Sequence, residues 1–112
     1  MYPHEPILTV VAPVIDAQLV ETAVLAQINH QSLIATKASR IAKAAKGRAF
    51  SDFGARRAHN MDAAVYGARA SYIGGAVGTA TVLAGQMFGI PINGTMAHSW
   101  VMYYKDEFDA FR

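Results

Sequence analysis

The side chains best suited to chemistry sit in three short turns. In SDFGARRAH, residues 51–59, a predicted strand ends at Phe53, Gly54 permits a sharp turn, and Arg56 and Arg57 follow at once. An aromatic ring beside guanidinium groups suits a flat, anionic aromatic ligand. The ligand ring would stack on Phe53, and its carboxylate or a phosphate would be held by Arg56 or Arg57. The plainer alternative is a surface turn whose arginines pair with Asp52 and Asp62. The second turn is Gly78-Thr79-Ala80-Thr81, where backbone N–H groups opening a helix could hold an anion. A simple helix cap accounts for the same residues. The third lies in NGTMAHSW, residues 93–100. Gly94 and Thr95 follow an apolar strand pattern, and His98 falls in the first turn of the next predicted helix. His98 is the one histidine in a run free of Asp, Glu, Lys and Arg between Arg69 and Lys105. Its imidazole is placed either to act as base or nucleophile or to bond a neighbouring carbonyl.

The elements that would position these turns are legible in outline. ILTVV, residues 7–11, is a β-branched run between Pro6 and Pro13 and predicts a short strand. From Ile15 to Lys46 there is no Pro or Gly, and apolar residues recur at helical steps. Asp16 can cap the start and Gly47 can end it. So long a stretch predicts two helices bent near Asn29-His30-Gln31. RAFSDF predicts a strand, Asp62 to Tyr72 a helix ending at Gly74-Gly75, and VGTATVLAGQMFG a strand or turn and then a helix closed by Gly89. IPING predicts another strand, Ala97 to Tyr104 a helix, and DEFDAF the opening of one more. Strand and helix alternate, which argues for parallel βα units, yet there are too few to close a barrel, which needs about eight strands.

Composition narrows the classes further. Hydrophobic residues make up 53% and charged residues 16%, against roughly 25% charged in ordinary soluble domains. A short chain with so little charge must hide apolar surface against something else. Its net charge of +2 gives no case for a nucleic-acid partner. The basic stripe Lys37, Arg40, Lys43 and Lys46 reads as a solvated helix face. There is no cysteine, hence no disulfide and no thiolate metal site. His4, His30, His59 and His98 are too scattered for zinc. Asp106, Glu107 and Asp109 read as acids opening a helix rather than magnesium ligands. The uncharged run Tyr72 to Ile92 is long enough to span a bilayer, but its glycines, Pro91 and polar Thr79, Thr81 and Gln86 argue against a membrane segment. The N-terminal MYPHEPILTV lacks the basic start and apolar block of a signal peptide, so the cytoplasm is the default expectation.

Taken in this order and separation, the stretches EPILTVVAPVIDAQLVETAVLAQINHQSLIATKASRI, DFGARRAH, ASYIGGAVGTAT and GIPINGTMAHS resemble the nicotinate phosphoribosyltransferase family. The resemblance implies an α/β fold: a fragment of a (β/α) barrel of the type II phosphoribosyltransferase kind, preceded by a short strand and long helices. Residues 1–112 would form a partial barrel domain, with 1–13 at the junction to a missing N-terminal domain. It implies synthesis of nicotinate mononucleotide and pyrophosphate from nicotinate and phosphoribosyl pyrophosphate, for NAD biosynthesis. ATP would be hydrolysed as a coupled substrate through a phosphorylated histidine. Carried over by motif, His98 matches the phosphohistidine and Thr95, next to Gly94, a nicotinate-contacting position. Phe53 matches the ring-stacking aromatic, Arg56 the arginine beside it, and Arg57 a further ligand for phosphate or carboxylate. Ala80 stands where relatives that use nicotinamide carry an aspartate, which fits preference for the carboxylate. Mg2+ would be bound mainly by substrate phosphates and by residues outside this chain. A homodimer is the expected assembly, and the chain alone is expected to be inactive. The alternatives are a nicotinamide or quinolinate phosphoribosyltransferase, or a non-catalytic α/β interaction fragment.

Overall fold

The structure, a computed structural model, describes residues 4–112. It is elongated, 66 × 32 × 22 Å, because its first helix, α1 (Val14–Ala45), runs unbroken for 32 residues. The bend expected near Asn29-His30-Gln31 does not occur. No Pro or Gly interrupts the ladder there, and the polar side chains find partners on the next helix instead of breaking their own. The His30 Nε2 lies 3.2 Å from the Ala63 carbonyl, and Gln31 Oε1 accepts from Arg69 Nη1 at 3.2 Å. Pro13 occupies the N-cap, leaving Asp16 in the first turn rather than at the cap. At the other end Lys46 already adopts the left-handed conformation that closes the helix, one residue before Gly47.

The strand expected at 7–11 is absent. These residues form no ladder and lie instead along the first half of α1, where Ile7, Leu8 and Val10 line a groove with Val20, Val24 and Leu25. A β-branched run becomes a strand only if a neighbour offers backbone partners, and none of the described residues does so here.

The later segments do come together as a parallel edge, but one too short to make regular strands. All six named elements among the described residues are helical. The stretches around Asp52, Thr79 and Ile92 pair at single positions, in parallel, with Thr79 in the middle. Val77 N donates to Phe50 O and Asp52 N to Gly78 O, both at 2.9 Å, and Ala80 N returns to Asp52 O at 2.9 Å. On the other side Thr79 N donates to Pro91 O at 3.0 Å and Asn93 N to Thr79 O at 2.9 Å. The expected βα alternation therefore survives as three adjacent parallel rungs in chain order. The expected barrel fragment is reduced to this edge and its helices.

Those helices follow their sequence signals closely. Helix α2 (Met61–Ile73) starts where Asn60 Oδ1 accepts from Ala63 N at 2.7 Å and stops at Gly74. It packs on α1 through small residues, so Ala38, Ala68 and Ala70 are among the most buried in the molecule. Helix α3 (Val82–Phe88) ends at Gly89, in the left-handed region with φ 66°. Phe88 packs on Val65, Ala68 and Ala84, with the Tyr66 ring 5.8 Å away and the Arg69 guanidinium 5.6 Å from its centre. Helix α4 (His98–Tyr103) and helix α5 (Glu107–Phe111) are joined by Trp100 Nε1 donating to Ala110 O at 2.8 Å. Asp106 caps α5 by accepting from Phe108 N, so the acidic tail does open a helix. None of the described helices is long and apolar enough to cross a membrane.

Candidate active site

The parallel edge decides what the three turns can do together. Side chains of residues paired in parallel point to the same face, and their neighbours to the opposite one. Asp52, Thr79 and Ile92 thus share one face, the face on which α3 packs. A Cβ on Gly85 of that helix would stand only 2.3 Å from Ile92 Cγ1, so glycine is what lets the helix approach. Phe53, Ala80 and Asn93 each lie one residue beyond this row and share the other face, at the carboxyl end of the rungs. That end is where α/β proteins bind their ligands.

The first two turns are tied together through Asp52. Its Oδ1 accepts from Gly54 N at 3.1 Å, which closes the turn after Phe53. Its Oδ2 accepts from the Thr79 hydroxyl at 3.0 Å, and the same hydroxyl oxygen accepts from Thr81 N at 3.0 Å. Thr79 is wholly buried. With both Asp52 oxygens engaged in this way, Arg56 and Arg57 stay exposed on a single 3-10 turn, Ala55–Arg57, rather than pairing with Asp52. The same bonds bear on Gly78-Thr79-Ala80-Thr81, where Thr81 takes the N-cap of α3, in line with the simple helix-cap reading. Ala80 N is bonded to Asp52 O and Thr81 N to Thr79 Oγ1, so these two N–H groups are already satisfied.

Phe53 is 41% exposed and borders a cleft of about 600 Å³ between α1, the 3-10 turn and α2. Arg57, Lys37, His30, His59 and Asp52 also line it. The cleft thus joins the aromatic ring to a guanidinium, as the sequence suggested. It also adds Lys37, which the spacing of basic residues had assigned to a solvated helix face. Arg56, Ala80, Gly94, Thr95 and His98 do not line this cleft. Ala80 and Gly94 lie instead one and two residues beyond the paired row, and Thr95 and His98 follow in an exposed stretch that ends at the start of α4. Sequence reasoning missed the Asp52–Thr79 pair. The Asp-x-Gly spacing signals the turn at Asp52, but nothing local signals its bond to Thr79. No group of three or more His, Asp or Glu able to hold a metal occurs among the described residues.

The sequence profile of the nicotinate phosphoribosyltransferase (NAPRTase) family matches residues 48–109, the segment that carries all three turns. The chain belongs to this family. A Mycobacterium tuberculosis nicotinate phosphoribosyltransferase is 54% identical over 111 residues, covering 99% of this chain and 24% of the relative. The Bacillus subtilis nicotinate phosphoribosyltransferase is 51% identical over 112 residues, covering 100% of this chain and 23% of the relative. The fold is similar to part of the crystal structure of human nicotinic acid phosphoribosyltransferase, with a TM-score of 0.73 and 37% identity. That match covers 83% of this chain and 19% of the human one. The chain therefore spans about a quarter of the length of the curated relatives it matches.

Proposed function

We propose that this chain forms the ligand edge of a nicotinate phosphoribosyltransferase, as the early segment of a (β/α) barrel completed by residues outside it. The observation that carries the reading is the order of the three family turns along one parallel edge, with Phe53, Ala80 and Asn93-Gly94 at the same end of adjacent rungs. The reaction joins the nicotinate ring nitrogen to the ribose carbon of phosphoribosyl pyrophosphate as pyrophosphate departs. Two anions must therefore be held in line and the leaving group stabilised.

Phe53 stacks on the nicotinate ring, and Arg56 and Arg57 hold its carboxylate or a phosphate. Thr95, beside Gly94, contacts nicotinate. Ala80 presents a methyl group where an acidic side chain would repel the carboxylate, which favours nicotinate over nicotinamide. His98 accepts the γ-phosphoryl group of ATP on a ring nitrogen, with ADP as leaving group. The added phosphate brings about two negative charges to the site and couples hydrolysis to substrate binding and release. Mg2+ is held mainly by the substrate phosphates and by residues outside this chain. A homodimer, an N-terminal domain joined through residues 1–13 and a cytoplasmic location complete the proposal.

The test is to incubate the full-length protein with γ-labelled ATP and to assay nicotinate mononucleotide formation. Label should appear on wild type and vanish in His98→Ala, with ATP coupling lost. A His98→Ala enzyme that kept full coupling would overturn the role of His98.

A further inference from the structure

One polar contact spans the full width of the parallel edge. Asn93 Nδ2 donates to Ser51 Oγ at 2.7 Å, although the 77–80 segment lies between their two rungs. The crossing is possible because residue 78 has no side chain. A Cβ on Gly78 would sit 2.4 Å from Asn93 Nδ2 and 2.7 Å from Pro91 O. Both partners are half-buried. Ser51 stands two residues before Phe53 and so shares its face, and the pairing register puts Asn93 and Ala80 on that face too. The bridge therefore lies on the ligand-facing side of the edge. A serine hydroxyl that accepts from an amide keeps its own proton to donate.

Building on the nicotinate reading above, we propose that Asn93 and Ser51 act as a pair. Asn93 is a positioning residue that braces the turn carrying Thr95 and His98 against the rung carrying Phe53. Ser51 is a binding residue whose oriented hydroxyl donates to the carboxylate of nicotinate. No charge is needed: one fixed neutral donor adds to the arginines and discriminates by direction.

The experiment uses the full-length enzyme with Ser51→Ala, Asn93→Ala, the double variant and Ser51→Thr. Initial rates are followed against nicotinate and against phosphoribosyl pyrophosphate, with thermal unfolding of each protein. Loss of one oriented hydrogen bond should raise the nicotinate KM about three- to tenfold in either single variant, with the phosphoribosyl pyrophosphate KM unchanged. The double variant should be no worse than Ser51→Ala, because the two residues act as one unit. Ser51→Thr, which keeps the hydroxyl, should restore the nicotinate KM. If Ser51→Ala fails to fold, the near-isosteric Ser51→Cys, a weak donor, decides the point. An unchanged nicotinate KM in a folded Ser51 variant, or effects of the two single variants that multiply, overturns the pair while leaving the nicotinate reading intact. A wild-type protein that does not turn over nicotinate overturns both.

Discussion

At the scale of single residues, two positions separate what holds the edge from what reads the ligand. Thr79 is buried, and its one hydroxyl serves Asp52 and Thr81 together. Thr79→Val keeps the shape but strands an N–H and a carboxylate oxygen. It should cost about 1–3 kcal/mol, read as a lower urea midpoint with unchanged slope, whereas Thr79→Ser should cost less. Ala80 is half-buried one residue further on and makes no such bond through its side chain. Ala80→Asp should leave folding nearly intact and turn preference away from nicotinate and towards nicotinamide. The ratio of the two kcat/KM values should shift at least about tenfold, equivalent to about 1.4 kcal/mol. A variant with unchanged preference would remove Ala80 from the specificity reading.

At the scale of elements, caps and close approaches set the boundaries. Asn60→Ala removes the acceptor for Ala63 N and should destabilise α2 by about 1 kcal/mol, measured by thermal unfolding of the full-length protein. The ends of α2 and α3 and the start of α5 are legible because Gly74, Gly89 and Asp106 mark them locally, whereas α2 opens at an Asn60 cap ahead of the expected Asp62. Helix α1 reads as two from the sequence because its length invites a break, while the contacts at His30 and Gln31 come from α2. The strands were the least legible elements. Strand formation depends on partners elsewhere, so ILTVV forms no strand where none of the described residues pairs with it, and the 50–53, 77–80 and 90–93 stretches pair for a single rung. The site divides in the same way. Phe53, Arg56, Arg57 and His98 stand out by residue type, but Asp52–Thr79 and Ser51–Asn93 join positions 27 and 42 apart and leave no local trace.

At the scale of the whole molecule, burial is thin. The buried apolar residues are mostly alanine, joined by Val65 and Ile90, while Val14, Ile15 and Leu19 on α1 are each more than two-thirds exposed. An exposed apolar surface this continuous marks a face made to be covered. Residues 1–112 produced alone should bind a hydrophobic dye such as ANS strongly and form aggregates larger than a dimer on size exclusion, whereas the full-length protein should elute as a dimer that binds no dye. A dye-free monomer would contradict this account. The order of the three rungs has one more consequence. Because they lie side by side in the order in which they are translated, each can dock on its predecessor as it leaves the ribosome, with its helix already made. At every stage of synthesis the newest edge is the one on which the next rung docks, so the assembly of the site can begin before the chain is finished.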